Sequence, residues 1–259
     1  MRLPVRLGAL RALVKEVSAG GGKPLVVGGA RGLAGVLRRE LGRDAKAGAV
    51  RGDDAPEGAA VLVYVLGHEP TPDDAAALDR ARRARVPIVA VTVREGVAIP
   101  NVLATDVVRV GAGEGFPLEA IARVIAARLG EDAAPLAGRV PLLRGAVCEQ
   151  LVAACARRNG VIGAAVFVPG ADLPALALNQ LRLVLRLEQA YGLEIDLRER
   201  LPELAATLGA GLGLRALARQ LLDRLPVAGW AVQGAVAYAG TRVLGDAAIR
   251  RLEAAPGGH

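Results

Sequence analysis

The sequence predicts an α/β fold in its first half and an all-α fold in its second: a small parallel sheet, then an Ala/Gly-rich helical domain. Three observations carry this. Up to about residue 130, short apolar runs alternate with helical stretches of about a dozen residues, the pattern of parallel strands joined by right-handed crossovers. From Leu143 onward strand signals largely vanish, and glycines recur inside apolar helical patterns. The 259 residues are 53% hydrophobic but only 2% aromatic, so the core is built from Ala, Leu and Val. That excludes disorder, and the length suits one large or two modest domains. The expected boundaries are 1–22 for an N-terminal helix and linker, 23–132 for the α/β domain, 139–254 for the helical domain and 255–259 for a disordered tail.

The N-terminal stretch places Leu3, Leu7, Leu10, Val14 and Val17 at spacings of three and four among Arg2, Arg6 and Arg11. This is an amphipathic surface helix that lays one face on the body of the protein or on a partner, and it has no secretory-signal pattern. After Gly20-Gly21-Gly22 comes a strand, Leu25-Val26-Val27-Gly28-Gly29, which opens through glycines into the helical Leu33 to Glu40. Between Leu41 and Ala60 at most one short strand fits, over Ala47 to Arg51. Val61 to Gly67 is apolar at nearly every position, as expected of a strand covered on both faces. Thr71-Pro72-Asp73-Asp74 starts a helix: Thr71 or Asp73 caps it, and Pro72 suits its first turn. Ile88 to Val93 and Val107 to Val110 are the remaining strands, and Pro117 to Leu129 closes the unit with a helix.

The residue inventory excludes several function classes. The formal charge is +7, with 19 basic and 14 acidic residues in 1–130 and 14 and 12 in the remainder, so the excess is spread and not patched. The few aromatics are scattered, which argues against a nucleic-acid groove. One serine (Ser18), two histidines (His68 and His259) and two cysteines leave little from which to build a hydrolase triad. Cys148 and Cys155 are about 10 Å apart along one helix face, too far to bridge. They lack partners at metal-ligand spacing and read as small apolar residues of a buried face. No catalytic or metal-ligating set emerges, and a reducing cytoplasm is the natural setting.

In its order of strands, helices and glycine turns, the segment from Pro24 to Gly130 resembles the small Era-type GTPase domain. That family carries a P-loop of form G-x-x-x-x-G-K-S/T, whose backbone N–H groups wrap the phosphates while its Lys and hydroxyl serve phosphate and magnesium. The matching turn is Gly28-Gly29-Ala30-Arg31-Gly32-Leu33-Ala34, one residue short, with Leu33 and Ala34 where the Lys and hydroxyl belong. The guanine-reading Asn-Lys-x-Asp corresponds to Val93-Arg94-Glu95-Gly96, without its Asn or final Asp. The resemblance therefore implies a shortened, P-loop GTPase-like scaffold that has lost the means of phosphoryl transfer. Gly28, Gly29, Arg31 and Gly32 are the candidate binding residues, a phosphate-loop remnant able to hold a nucleotide or phosphate only weakly. The alternative is that the three glycines simply permit tight strand-to-helix packing. No cofactor is otherwise expected.

The second half contains Val161 to Val168, a stop at Pro169-Gly170-Ala171-Asp172-Leu173-Pro174, a long helix Ala175 to Tyr191 ending at Gly192, and two glycine-bearing stretches, Leu201 to Leu225 and Pro226 to Glu253. Asn159-Gly160 is expected to interrupt the helix that begins at Arg144. Asp172 reads as a cap or as a buried partner for Arg182 or Arg186. Glycine in a helix interior costs about 1 kcal/mol against Ala, tolerable where backbones approach closely, so these small residues are expected contacts. The runs from Val161 to Pro174, Asn179-Gln180-Leu181, Glu188 to Gly192 and Ala237 to Gly245 are similar to the YcjF-like bacterial domain of unknown function. That resemblance implies a membrane-related role. No simple span is expected, because Asp172 and two prolines break the best apolar run.

Together these readings describe a regulatory or adaptor protein, cytoplasmic or membrane-associated, whose helical domain contacts a membrane surface, a protein partner or a second copy through its glycine-bearing helices. The rival is a nucleotide-binding, GTPase-like hydrolase with an atypical phosphate loop, its ligand at the carboxyl ends of the strands near Arg31, Gly67, Glu95 and Gly113.

Overall fold

The computed structural model describes residues 7–18, 21–52, 55–69, 71–94, 98–111, 113–165, 173–193 and 229–255. Contacts divide the chain into two compact bodies, one of residues 21–150 and one of residues 1–20 with 151–259.

The first body is a five-stranded parallel sheet: β1 (Leu25–Gly29), β2 (Val50–Gly52), β3 (Val61–Val65), β4 (Ile88–Thr92) and β5 (Val107–Arg109), in the order β2-β1-β3-β4-β5. The long β1–β3 pairing runs in register from Leu25↔Val61 to Gly29↔Val65, and β4 follows with Leu62↔Ile88. β3 and β4 are buried at every position, which explains their unbroken apolar sequence. Both edges are three-residue strands carrying an exposed arginine, Arg51 or Arg109, a common way to discourage edge pairing. The short strand expected within Ala47 to Arg51 is β2, displaced toward its C-terminal end.

Three helices supply the crossovers and the cover. α2 (Arg31–Leu41) buries Ala34, Leu37 and Leu41; α3 (Pro72–Arg83) buries Ala77, Leu78 and Ala81; α4 (Leu118–Leu129) buries Ile121, Ala122, Ile125 and Ala126. Each set repeats at three to four residues, the stripe that faces a sheet. Val26, Leu62, Tyr64, Ile88 and Ala90 pack with the α3 stripe on one face. The alternating positions Leu25, Val27, Val63 and Val89 are equally buried on the other. The stretch Gly130–Gly138, which spans the gap between the expected domains 23–132 and 139–254, belongs to this body. It forms a 3₁₀ turn and the short α5 (Ala134–Ala137), with Ala133, Ala134, Leu136 and Ala137 all buried. Arg139 ties it down, donating to the Gly22 carbonyl at 2.8 Å and accepting from the Lys46 N–H at 2.8 Å.

The second body consists, among the described residues, of helices: α1 (Leu7–Ser18), the C-terminal part of α6 (Arg144–Ala165), α7 (Leu173–Ala190) and α8 (Gly229–Ala254). α1 lies on the body of the protein, with Leu13 and Val17 buried against Ala177, Leu181 and Leu185 of α7. Arg182 pairs with Glu16 at 3.0 Å, and Gln189 donates to the Val17 carbonyl at 3.0 Å. α7 stops where the sequence places its end, at Gly192 with φ +74°.

The expected break at Asn159-Gly160 does not occur; α6 runs through it. Asn159 is fully buried, and its amide donates to Thr241 Oγ1 of α8 at 2.9 Å while its carbonyl oxygen accepts from Asn179 Nδ2 of α7 at 3.0 Å. The side-chain groups that would otherwise favour a turn are thus engaged between helices. The small-residue contacts are equally specific. A Cβ on Gly163 would stand 2.9 Å from Ala237 Cβ, one on Gly234 would stand 2.9 Å from the Gly160 carbonyl oxygen, and one on Gly245 would stand 2.6 Å from Val152. Leu201 to Leu225, with Gly209, Gly211 and Gly213, and the cap candidate Asp172 lie outside the described residues.

Candidate functional site

In the α/β body the chain reverses its direction of travel between β1 and β3, since β2 lies to one side and β4 and β5 to the other. Open sheets of this kind hold ligands at the carboxyl ends of the strands at that switch point. The β1–α2 turn stands there, and it is a single residue. β1 ends at Gly29 and α2 begins at Arg31, so only Ala30 lies between them. Ala30 N–H donates to the Val65 carbonyl at 2.8 Å, which staples the turn to the end of β3. Gly29 has φ +102°, and a Cβ there would collide with the Val65 carbonyl oxygen. Glycine is required at this position by the backbone itself.

The four candidate binding residues are therefore dispersed in role. Gly28 is buried within β1, Gly29 closes against β3, and Arg31 and Gly32 are exposed in the first turn of α2. Gly32 has nothing within 4 Å of a Cβ position, so close packing does not demand a glycine there. A shallow cavity of about 240 Å³ brings Gly28, Gly29 and Arg31 together with Arg38 and Gly52. Arg38 lies over Gly52, its Nη1 2.6 Å from where a Cβ would be. Two arginines thus flank the same groove. Arg38 was missed from sequence, although its spacing of seven from Arg31 places both on one face of α2. No side chain caps α2.

A second cavity, of about 480 Å³, opens on the other side of Gly29 and reaches α3, where Glu69, Asp73, Asp74 and Arg80 line it. Its buried carboxylate is committed to structure. Asp74 accepts from the Tyr64 hydroxyl and from the Thr71 backbone N–H, each at 2.8 Å, while its own N–H donates to Thr71 Oγ1 at 3.2 Å. This is a capping box with Thr71 as the cap, one of the two caps the sequence offers, and with Pro72 in the first turn. Burial acts to raise the Asp74 carboxyl pKa, but the hydrogen bonds from Thr71 and Tyr64 outweigh it and hold the group below its ordinary value. A carboxylate so satisfied is a poor proton acceptor.

His68 is exposed on the connection leaving β3. Cys148 and Cys155 are buried and form no disulfide, the Cys155 thiol reaching the Asn179 carbonyl at 3.6 Å. Among the described residues no cluster of His, Cys, Asp or Glu could hold a metal ion, and no helix is long and apolar enough to cross a membrane. In comparisons with known proteins, no family model, no curated protein and no solved structure matches the chain, so its reading rests on this geometry.

Proposed function

We propose that the protein is a non-catalytic adaptor, in which an α/β body built like a G domain stripped of its phosphate chemistry is joined to helices that dock on a membrane surface or a partner. The strand order is shared by many doubly wound domains and selects no chemistry. The observation that carries the reading is the one-residue β1–α2 turn. A phosphate cradle needs a loop long enough for several N–H groups to converge, a cation on the β/γ-phosphates and a hydroxyl on magnesium. Here the strand turns directly into the helix, and Leu33 and Ala34 fall where the cation and hydroxyl would be. Positioning and charge neutralisation are the main sources of phosphoryl-transfer catalysis, and this turn supplies neither.

On this reading, calorimetric titration of the full chain with GTP or ATP and magnesium gives no heat beyond dilution, and no phosphate is released on incubation. Magnesium-dependent triphosphate binding that is lost in Arg31→Ala would overturn the proposal in favour of the hydrolase.

A further inference from the structure

A third cavity, of about 80 Å³, opens beside the second at the carboxyl ends of β3 and β4 and shares Gly67, Thr71 and Asp74 with it. Its walls are apolar: Leu66 follows β3, Ala75 and Leu78 belong to α3, and Ile99 and Pro100 lie on the connection leaving β4. Leu66, Leu78 and Ile99 are buried members of the core that α3 forms with the sheet. Such cores are close-packed, with few voids larger than a water molecule, and an apolar hollow leaves its lining without contacts on one side. Two hydrogen-bond donors line the same cavity. Thr92, 4% exposed, accepts the Arg94 N–H through its Oγ1 at 3.1 Å, and its own O–H has no acceptor among the described residues. The half-buried Arg94 side chain likewise has no carboxylate or other acceptor among them. Asp74, the carboxylate on this wall, already has its oxygens taken by Tyr64 and Thr71. It lies in the first turn of α3, where the helix dipole compensates a negative charge.

We infer that this cavity binds a small aliphatic carboxylate, its short branched tail in the hollow and its carboxylate on Arg94 and Thr92. The pattern is that of small-molecule sites in general, an apolar hollow with a few convergent polar groups. The volume decides the size of the tail: it is roughly half of the ~150 Å³ that holds benzene, too small for a ring and suited to an isopropyl group. The donors decide the head. A guanidinium without a partner matches a carboxylate through two parallel N–H···O bonds, and the Thr92 hydroxyl, which still has its proton to give, supplies a third. A neutral amide leaves the arginine charge unmatched, and an amine is repelled by it. Once bound, the ligand touches α3, the end of β3 and the connection leaving β4 together, filling volume that no side chain of the chain fills. This site is distinct from the glycine turn of β1 and does not depend on the adaptor reading.

Calorimetric titration of the full chain with isovalerate, a carboxylate carrying an isopropyl group, tests the site, with the melting temperature as a second readout. Binding is saturable at one site per chain, and the melting temperature rises with ligand concentration. Arg94→Gln removes the charge without breaking a contact among the described residues and weakens binding by about tenfold or more. Ala75→Leu, at an exposed position of α3 that accepts a good helix former, fills the hollow and abolishes binding. Isobutylamine, with an isopropyl group and the opposite charge, gives no heat beyond dilution, and benzoate binds more weakly than isovalerate because its ring does not enter. Absence of saturable isovalerate binding overturns the site. Equal binding of isobutylamine overturns the carboxylate assignment, equal binding of benzoate overturns the seating of the tail, and wild-type affinity in Ala75→Leu overturns the location. Should either variant not fold, the ligand series on the wild-type chain decides. The nucleotide titration tests the adaptor reading independently of all these outcomes.

Discussion

Asp74 shows how a carboxylate at a ligand-ready location can be fully engaged in holding the fold. Its two acceptor oxygens take the Tyr64 hydroxyl and the Thr71 N–H, joining β3 to the first turn of α3. Because its folded pKa lies below the ordinary carboxylate value, the stability it contributes is present above the unfolded pKa of about 3.9 and is lost as pH falls through the folded value. Asp74→Asn should therefore lower stability at pH 7 by about 1–2 kcal/mol. Denaturant melts of the two proteins should converge as pH drops below about 4. A difference unchanged between neutral and acid conditions would show that the charge is not what the donors stabilise. Gly29 makes the complementary point: its positive φ and its approach to Val65 explain a glycine that sequence alone leaves open between phosphate binding and packing.

Helix α8 carries glycines of opposite consequence. Gly234 abuts the Gly160 carbonyl of α6, a backbone atom that cannot move aside, whereas Gly240 has nothing within 4 Å of a Cβ position. Gly234→Ala should destabilise by about 1–3 kcal/mol through overpacking, and Gly240→Ala should stabilise by up to about 1 kcal/mol through helix propensity. Thermal melts of the two single variants, moving in opposite directions, are the check. That small residues would be contacts was legible in the sequence; that they join α6 to α8 was not, because the partners are more than seventy residues apart. The run of α6 through Asn159-Gly160 was hidden for the same reason. An asparagine before a glycine reads as a turn until Thr241 and Asn179 arrive to satisfy its amide.

At the scale of the whole molecule, the first residues of the chain belong with its second half. Leu13 and Val17 are buried on α7, and burial of two such side chains is worth about 3 kcal/mol or more. Removing residues 1–20 should accelerate amide exchange across 173–190 while leaving β1, β3 and β4 protected; faster exchange in the sheet with none gained in α7 would contradict the assignment. Amphipathicity announced that α1 needs cover, but not which surface gives it. The sequence by itself determined the parallel α/β body, because strands buried on both faces must be apolar throughout and glycine must mark their turns. It also determined that Leu33 and Ala34, neither a lysine nor a hydroxyl residue, follow Gly32, since those are single side chains at fixed spacing. Only the tertiary structure decided that Gly130–Gly138 packs as part of the α/β body, that Gly29 is held by Val65, and that Asn159, Asn179 and Thr241 meet. Each of these depends on residues distant in sequence being brought within contact distance, and local patterning carries no information about the partner.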